Sequence, residues 1–146
     1  MNRHYSGLWI AASFLFLFLF LLSDAKASDV EVRVTGLQPG KGNVIAGLYL
    51  NQAAFESERF TDWRAAPVAE QHETKLLFAN LDPGIYGIAV YQDLNANEVL
   101  DKTSLGVPTE PYGFSNNIRN RFRPPDFSDF SFELGNEPIA LEIQLE

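Results

Sequence analysis

Ile139, Leu141, Ile143 and Leu145 alternate strictly with Ala140, Glu142 and Gln144. Only an extended strand with one buried and one wet face satisfies a two-residue period of this kind. Val30, Val32 and Val34 repeat it against Glu31, Arg33 and Thr35 near the other end of the chain. Whatever lies between these segments must therefore build a sheet against them. No stretch of the chain beyond residue 27 carries a long helical period, and no internal repeat is present. Turn signals separate six or seven short segments, and that pattern predicts an all-β fold, an antiparallel β-sandwich of about seven strands of immunoglobulin-like type.

In chain order, Asn43 to Leu50 reads as a second strand, and Gln38-Pro39-Gly40-Lys41-Gly42 between it and the first makes an antiparallel hairpin the economical expectation. Residues 51–66 lose the two-residue period. Asn51 suits the cap of a short helix, and Phe55, Phe60 and Trp63 are expected to pack a crossover onto the core, with a sugar-stacking platform as the alternative. A short edge strand is expected at Pro67–Gln71, and further strands at Lys75–Leu81 and Gly87–Gln92. Pro83-Gly84 turns tightly between those two, and Tyr86 is placed to bond backbone at the corner. Phe127, Phe130 and Phe132 mark one more strand before Gly135-Asn136 turns the chain into the last.

The N-terminus reads as a leader. Arg3 and His4 precede an apolar run from Leu8 to Leu22, and Ala25 and Ala27 fit a signal peptidase site. The run is about 15 residues, short of the roughly 20 that a spanning helix needs. Residues 1–27 are thus expected to be a signal peptide, with an uncleaved membrane anchor as the alternative, and 28–146 a single domain, exported to the periplasm or the extracellular space. Losing the leader removes Arg3, Lys26 and Asp24 and moves the formal net charge from −8 to −9. Such a balance disfavours nucleic acid and anionic membrane surfaces as partners. The chain has no cysteine, which excludes disulfides, thiol nucleophiles and zinc–thiolate sites.

The long aperiodic segment from Asp93 to Asn117 carries the candidate chemistry. Asp93, Asn95, Asn97 and Asp101 set oxygen donors at relative positions 1, 3, 5 and 9, and Val99 adds a backbone carbonyl at 7. This spacing wraps a chain around a hard cation such as calcium, as the first nine residues of an EF-hand loop do. Glu98 stands at position 6, where a glycine normally makes the sharp turn, and Ser104 stands where a bidentate glutamate would close the site. The other reading is a ladder of Asx turns that needs no metal. Further along, Glu110, Tyr112, Phe114, Ser115, Asn116 and Asn117 form a candidate ligand pocket, or satisfy one another and the loop's own backbone.

No catalytic residue is assigned. The lone histidine beyond the leader, His72, falls in a polar stretch, and no nucleophile elbow surrounds Ser115. Glu110 with Asp93 or Asp101 would be the carboxylate pair of a hydrolase acting on glycans or esters. Arg119, Arg121 and Arg123 read as a solvated basic strip balancing the acidic loop. The expectation is a non-catalytic module that meets an unknown ligand or envelope partner through residues 93–117, with calcium as its candidate cofactor. The alternatives are the carboxylate hydrolase and a purely structural envelope protein.

The succession L-D-P-G-I-Y from Leu81, Y-Q-D-L-N-A-N-E-V-L-D from Tyr91, L-G-V-P-T-E-P-Y-G-F-S-N-N from Leu105 and R-P-P-D-F from Arg123 resembles domain of unknown function 2141, a family of exported bacterial proteins. The resemblance runs from about Val30 to Leu145 and implies a small exported β-sandwich without an assigned activity. Family members usually carry glycine where this chain has Glu98. The Leu81–Tyr86 turn is also similar to that of transthyretin-like and carboxypeptidase-regulatory-like modules.

Overall fold

The computed structural model describes residues 26–119 and 123–146. The expected signal peptide lies outside the described residues except for Lys26 and Ala27, as does Arg121 of the basic strip.

The fold is mostly β, and the described residues hold eight strands in two sheets rather than about seven. Strands β1 (Ser28–Thr35), β4 (Glu73–Leu81) and β8 (Ile139–Gln144) form a three-stranded sheet in the order β4-β1-β8. Strands β2 (Asn43–Tyr49), β3 (Asp62–Pro67), β5 (Gly84–Asp93) and β6 (Tyr112–Phe114) follow the order β3-β2-β5-β6, and β7 (Ser131–Leu134) pairs with the near half of β5. Both sheets turn their apolar faces into one core. Val30, Val32, Val34, Phe78 and Ile143 come from the smaller sheet, and Val44, Leu48, Ile88, Val90 and Leu134 from the larger. The alternation in β1 and β8 is realised as read.

Two topological expectations are corrected. Strands β1 and β2 do not form a hairpin; they lie in different sheets. Each has an apolar face that is buried by facing the other's sheet across the core, so residues 36–42 cross between layers. Nor is the fold wholly antiparallel, because β1 and β8 pair in parallel from Val30–Ile139 to Thr35–Gln144. A parallel pair needs a long connection, and here the rest of the domain supplies it.

Three local expectations are also corrected. Asn51 does cap a short helix, α1 (Gln52–Glu56), its Oδ1 accepting from Ala54 N–H at 2.9 Å. The chain beyond it, however, forms β3, and no separate strand occupies Pro67–Gln71, of which only Pro67 is in a strand, as the last residue of β3. In β3 the polar Asp62 and Arg64 point to the half-buried side while Trp63 faces outward, 53 % exposed, and Phe60 is 39 % exposed. Arg64 earns its place under cover: its guanidinium lies 5.0 Å from the Phe78 ring centre and donates to the Leu77 carbonyl at 2.8 Å. Finally, Phe127–Phe130 is a helical turn, α2, and only then does β7 begin. Asp129 accepts from Asp126 N–H at 3.0 Å and closes that turn, which explains the mixed spacing of the phenylalanines.

Candidate functional site

The segment from Asp93 to Asn117 leaves the end of β5, travels over the outer side of the larger sheet and returns as β6. Buried carboxylates pin it at both ends. Asp93 is fully buried, and its two oxygens accept from Asn97 N–H at 3.1 Å and Glu98 N–H at 2.8 Å. Glu110, also buried, folds back so that Oε1 accepts from Leu94 N–H at 2.7 Å and Oε2 from Asp101 N–H at 3.0 Å. Charge-assisted bonds to backbone N–H groups are about twice as strong as neutral ones. Four of them hold an 18-residue excursion without regular structure.

These bonds offset local strain. Ala96 and Glu98 have φ of 59° and 64°, the left-handed region that costs an L residue roughly 1–2 kcal/mol. The N–H groups flanking those bends, of Asn97 and Glu98, are the ones that Asp93 takes. Tyr91 adds a hydroxyl that donates to the Glu98 carbonyl at 3.0 Å. Burial pushes its phenol up to about 12, with the negative charges of Asp93, Glu110, Glu98 and Glu58 adding to the effect.

The proposed cation ligands are brought together, though not as a cation would hold them. Asn95 Nδ2 and Asn97 Nδ2 both donate to the Asp101 carboxylate, at 2.6 and 3.1 Å. Their Oδ1 atoms accept from the N–H groups of Asn97 and Val99, at 3.1 and 2.9 Å. This is the Asx-turn ladder. The backbone bends of Ala96 and Glu98 fit a wrapped cation; the amides fit one only after turning their oxygens toward Asp101. Among the described residues no three acidic or histidine side chains converge on one point. The far end of the excursion is a tight turn in which Gly106, at φ 80°, donates to the Thr103 carbonyl at 2.9 Å. It displays Leu105, 89 % exposed, with Val107 and Val99 also outside.

The second constellation works on backbone too. Along one edge of β5, β7 pairs with residues 84–87 and β6 with residues 89–91. Ser115, fully buried, fills the gap at Ile88: its Oγ accepts from Ile88 N–H at 3.0 Å and donates to the Phe130 carbonyl. Asn116 Nδ2 donates to the Ser131 carbonyl of β7 at 2.9 Å. Asn117 clips the edge of β8, Oδ1 accepting from Gln144 N–H at 2.8 Å and Nδ2 donating to the Glu142 carbonyl at 2.9 Å. Three successive side chains thus complete three different strands. Tyr112 and Phe114 stack edge-on at 5.9 Å, and the hollow beside them, with Arg119 and Glu146, holds about 30 Å³. Arg119 pairs with Glu146 and Arg123 with Asp126, rather than with the acidic loop.

Sequence reasoning missed two features. Gln92, fully buried, ties the sheet crossover to β5; its signal was a polar residue at the end of the apolar run Ile88–Tyr91. The other is a depression of about 180 Å³ on the outer face of β2 and β3, beside Trp63 and the loop residue Glu98.

No curated protein and no solved structure matches the chain. A family model described as an uncharacterized protein conserved in bacteria matches residues 32–142, which takes in both sheets, the pinned loop and the Ser115–Asn117 clip. The chain belongs to that bacterial family, domain of unknown function 2141.

Proposed function

We propose that this protein is an exported, non-catalytic β-sandwich module, immunoglobulin-like or transthyretin-like, that docks an envelope partner through residues 93–117. One observation carries the reading. A long loop is held by two buried carboxylates, Asp93 and Glu110, while its far turn presents Leu105 and Val107 to solvent and Val99 is exposed nearer its base. Ordering a loop before binding removes an entropic cost from association, and apolar side chains on a pinned turn are suited to a partner's pocket. The Tyr86 hydroxyl, donating to the Asp82 carbonyl at 2.7 Å, supports the sandwich assignment.

The groups that catalysis would use support the non-catalytic reading. Ser115 is buried against Ile88 and Phe130, and the Glu110 and Asp93 carboxylates are committed to backbone. The test is retention of an envelope extract on the immobilised parent and on a Leu105→Asp, Val107→Asp variant of equal melting temperature. A species held by the parent and lost by the variant is expected; equal retention on both overturns the docking surface. Intact mass of the protein recovered from periplasmic extract tests export, with a chain beginning at Ser28 expected. A chain that keeps residues 1–27 overturns cleavage.

Calcium is a second reading, favoured by the left-handed bend at Glu98, the position where a cation-wrapping loop turns sharply. Asp93, Asn95, Asn97, the Val99 carbonyl and Asp101 would hold it, and it would supply loop stability. A melting midpoint that is the same in calcium and in chelator overturns this reading.

A further inference from the structure

We infer that the depression beside Trp63 binds the ring of a neutral saccharide, at a place separate from the loop end assigned to partner docking. Trp63 stands on edge strand β3 with its indole out, opposite Gly47 on β2. Gly47 lacks a side chain, and the Phe60 ring occupies the space where one would be. Buried Tyr49 packs on Phe60, which covers Gly47, and Trp63, paired with Gly47, is more exposed than either. The depression is lined by Trp63, Ile45, Ala65 and Pro67, with Asn43 and Glu98 supplying polar groups at its margin. A flat indole with hydrogen-bonding groups beside it matches a pyranose, which has an apolar face and a hydroxyl edge.

Size, charge and backbone exclude the other occupants. At about 180 Å³ the space falls below the roughly 300–1,000 Å³ that enclose drug-sized ligands, and it suits a single ring of a longer chain. A protein interface would need on the order of 1,000 Å² of contact, far more than this hollow offers. Its lining contains no lysine or arginine and does contain Glu98, so an anionic sugar would meet repulsion. An extended peptide adding as a strand is disfavoured at Trp63. At Trp63 the N–H donates to Asp62 Oδ1 at 2.8 Å, and the carbonyl accepts from Arg64 Nη1 at 2.7 Å. Both backbone groups of Trp63, beside the depression near the start of the strand, are therefore already paired, which blunts the sheet edge there.

The full chain has two tryptophans, Trp9 and Trp63, so a Trp9→Phe variant makes Trp63 the sole emitter. This protein is titrated with cellohexaose, chitohexaose, maltohexaose and xylohexaose, with polygalacturonate as the anionic control and a proline-rich decapeptide as the peptide control. A saturable blue shift with at least one neutral hexasaccharide, and none with polygalacturonate, is expected. Calorimetry on Trp63→Ala, whose side chain is exposed and outside the core, should show about a two- to twelvefold loss of affinity, which is stacking of about 0.5–1.5 kcal/mol converted at about 1.4 kcal/mol per tenfold, with Trp63→Phe retaining part of the binding. No shift with any neutral sugar, a shift with the peptide alone, or full affinity in Trp63→Ala each overturns the site. None of these outcomes bears on the Leu105 surface, which is tested on its own variant.

Discussion

Gln92 and Gln38 pair like a single rung of a sheet: Gln38 N–H donates to Gln92 Oε1 at 2.8 Å, and Gln92 Nε2 returns a bond to the Gln38 carbonyl at 2.8 Å. The same Nε2 also reaches the Lys41 carbonyl at 2.8 Å. A side-chain amide therefore closes the crossover by which the chain passes from one sheet to the other.

Replacing it should be costly. Gln92→Leu keeps the volume but strips three backbone groups of their partner, and each buried group left unpaired costs about 1–3 kcal/mol. Some of this crossover reaches water, so an overall loss of about 2–4 kcal/mol is expected. Chemical denaturation checks it, as a lower midpoint at unchanged slope. A loss under about 0.5 kcal/mol, the level of an ordinary surface change, would mean that the crossover holds itself.

Glu110 makes a similar prediction for the loop. Glu110→Ala removes the acceptor of both Leu94 and Asp101 N–H, and the expected loss is about 2–4 kcal/mol, since bonds to charged groups contribute about 1.5–3 each. Glu110→Gln should recover little, because one of its two ends now presents N–H to N–H. Hydrogen exchange locates the effect: the Leu94 and Asp101 amides should lose protection, while those of β1 and β2 keep theirs.

Such features mark the boundary of what the sequence made legible. Strand periods in β1 and β8, the Asn51 cap and the Tyr86 corner are local, and residues a few positions apart determine them. Which strand lies beside which is not local. Val30–Thr35 can bury its valines equally well in a hairpin or across a core, and the crossover that the structure shows is held by a hydrogen bond between residues 54 positions apart, which no local pattern reveals. Trp63 misled for a related reason. Its apolar character suggested the interior, but Arg64 takes the half-buried side, its guanidinium over Phe78 and bonded to the Leu77 carbonyl, and a strand cannot send both neighbours inward. The loop was legible as a cluster of oxygen donors, whereas the committing of those oxygens to backbone follows from φ values that composition does not carry.

Asn117 separates side-chain clipping from backbone strain. Its φ is 49°, and its amide makes both bonds to β8. Asn117→Gly keeps the backbone and loses the bonds, for about 1–2 kcal/mol. Asn117→Ala loses the bonds and adds the left-handed penalty of roughly 1–2 kcal/mol, so it should be the less stable of the two. Thermal melts order them. Equal melting points would show that the turn imposes no strain.

Alkali supplies the last prediction. Tyr49 sits edge-on to Phe55 and Phe60, with ring centres 5.3 and 5.5 Å away. Burial first, and then the charge of Glu58, raise its phenol far above the ordinary value. Burial and Asp82 raise Tyr86 likewise, and Tyr91 lies at about 12. A phenol whose folded pKa is raised contributes stability fully below the unfolded value of about 10 and loses it as pH climbs toward the folded value. Between about pH 10 and 12, unfolding therefore releases protons from Tyr49 and Tyr91, and stability should fall by up to about 1.4 kcal/mol per pH unit for each. Tyr49→Phe cannot ionise in either state. Its stability should fall less steeply with pH than the parent's, whatever the substitution does at neutral pH. Ultraviolet titration of the folded protein supplies the direct check: were Tyr49 to ionise near pH 10 with the fold intact, its site would have to be open to water, and the packing of α1 over the outer sheet face would be wrong.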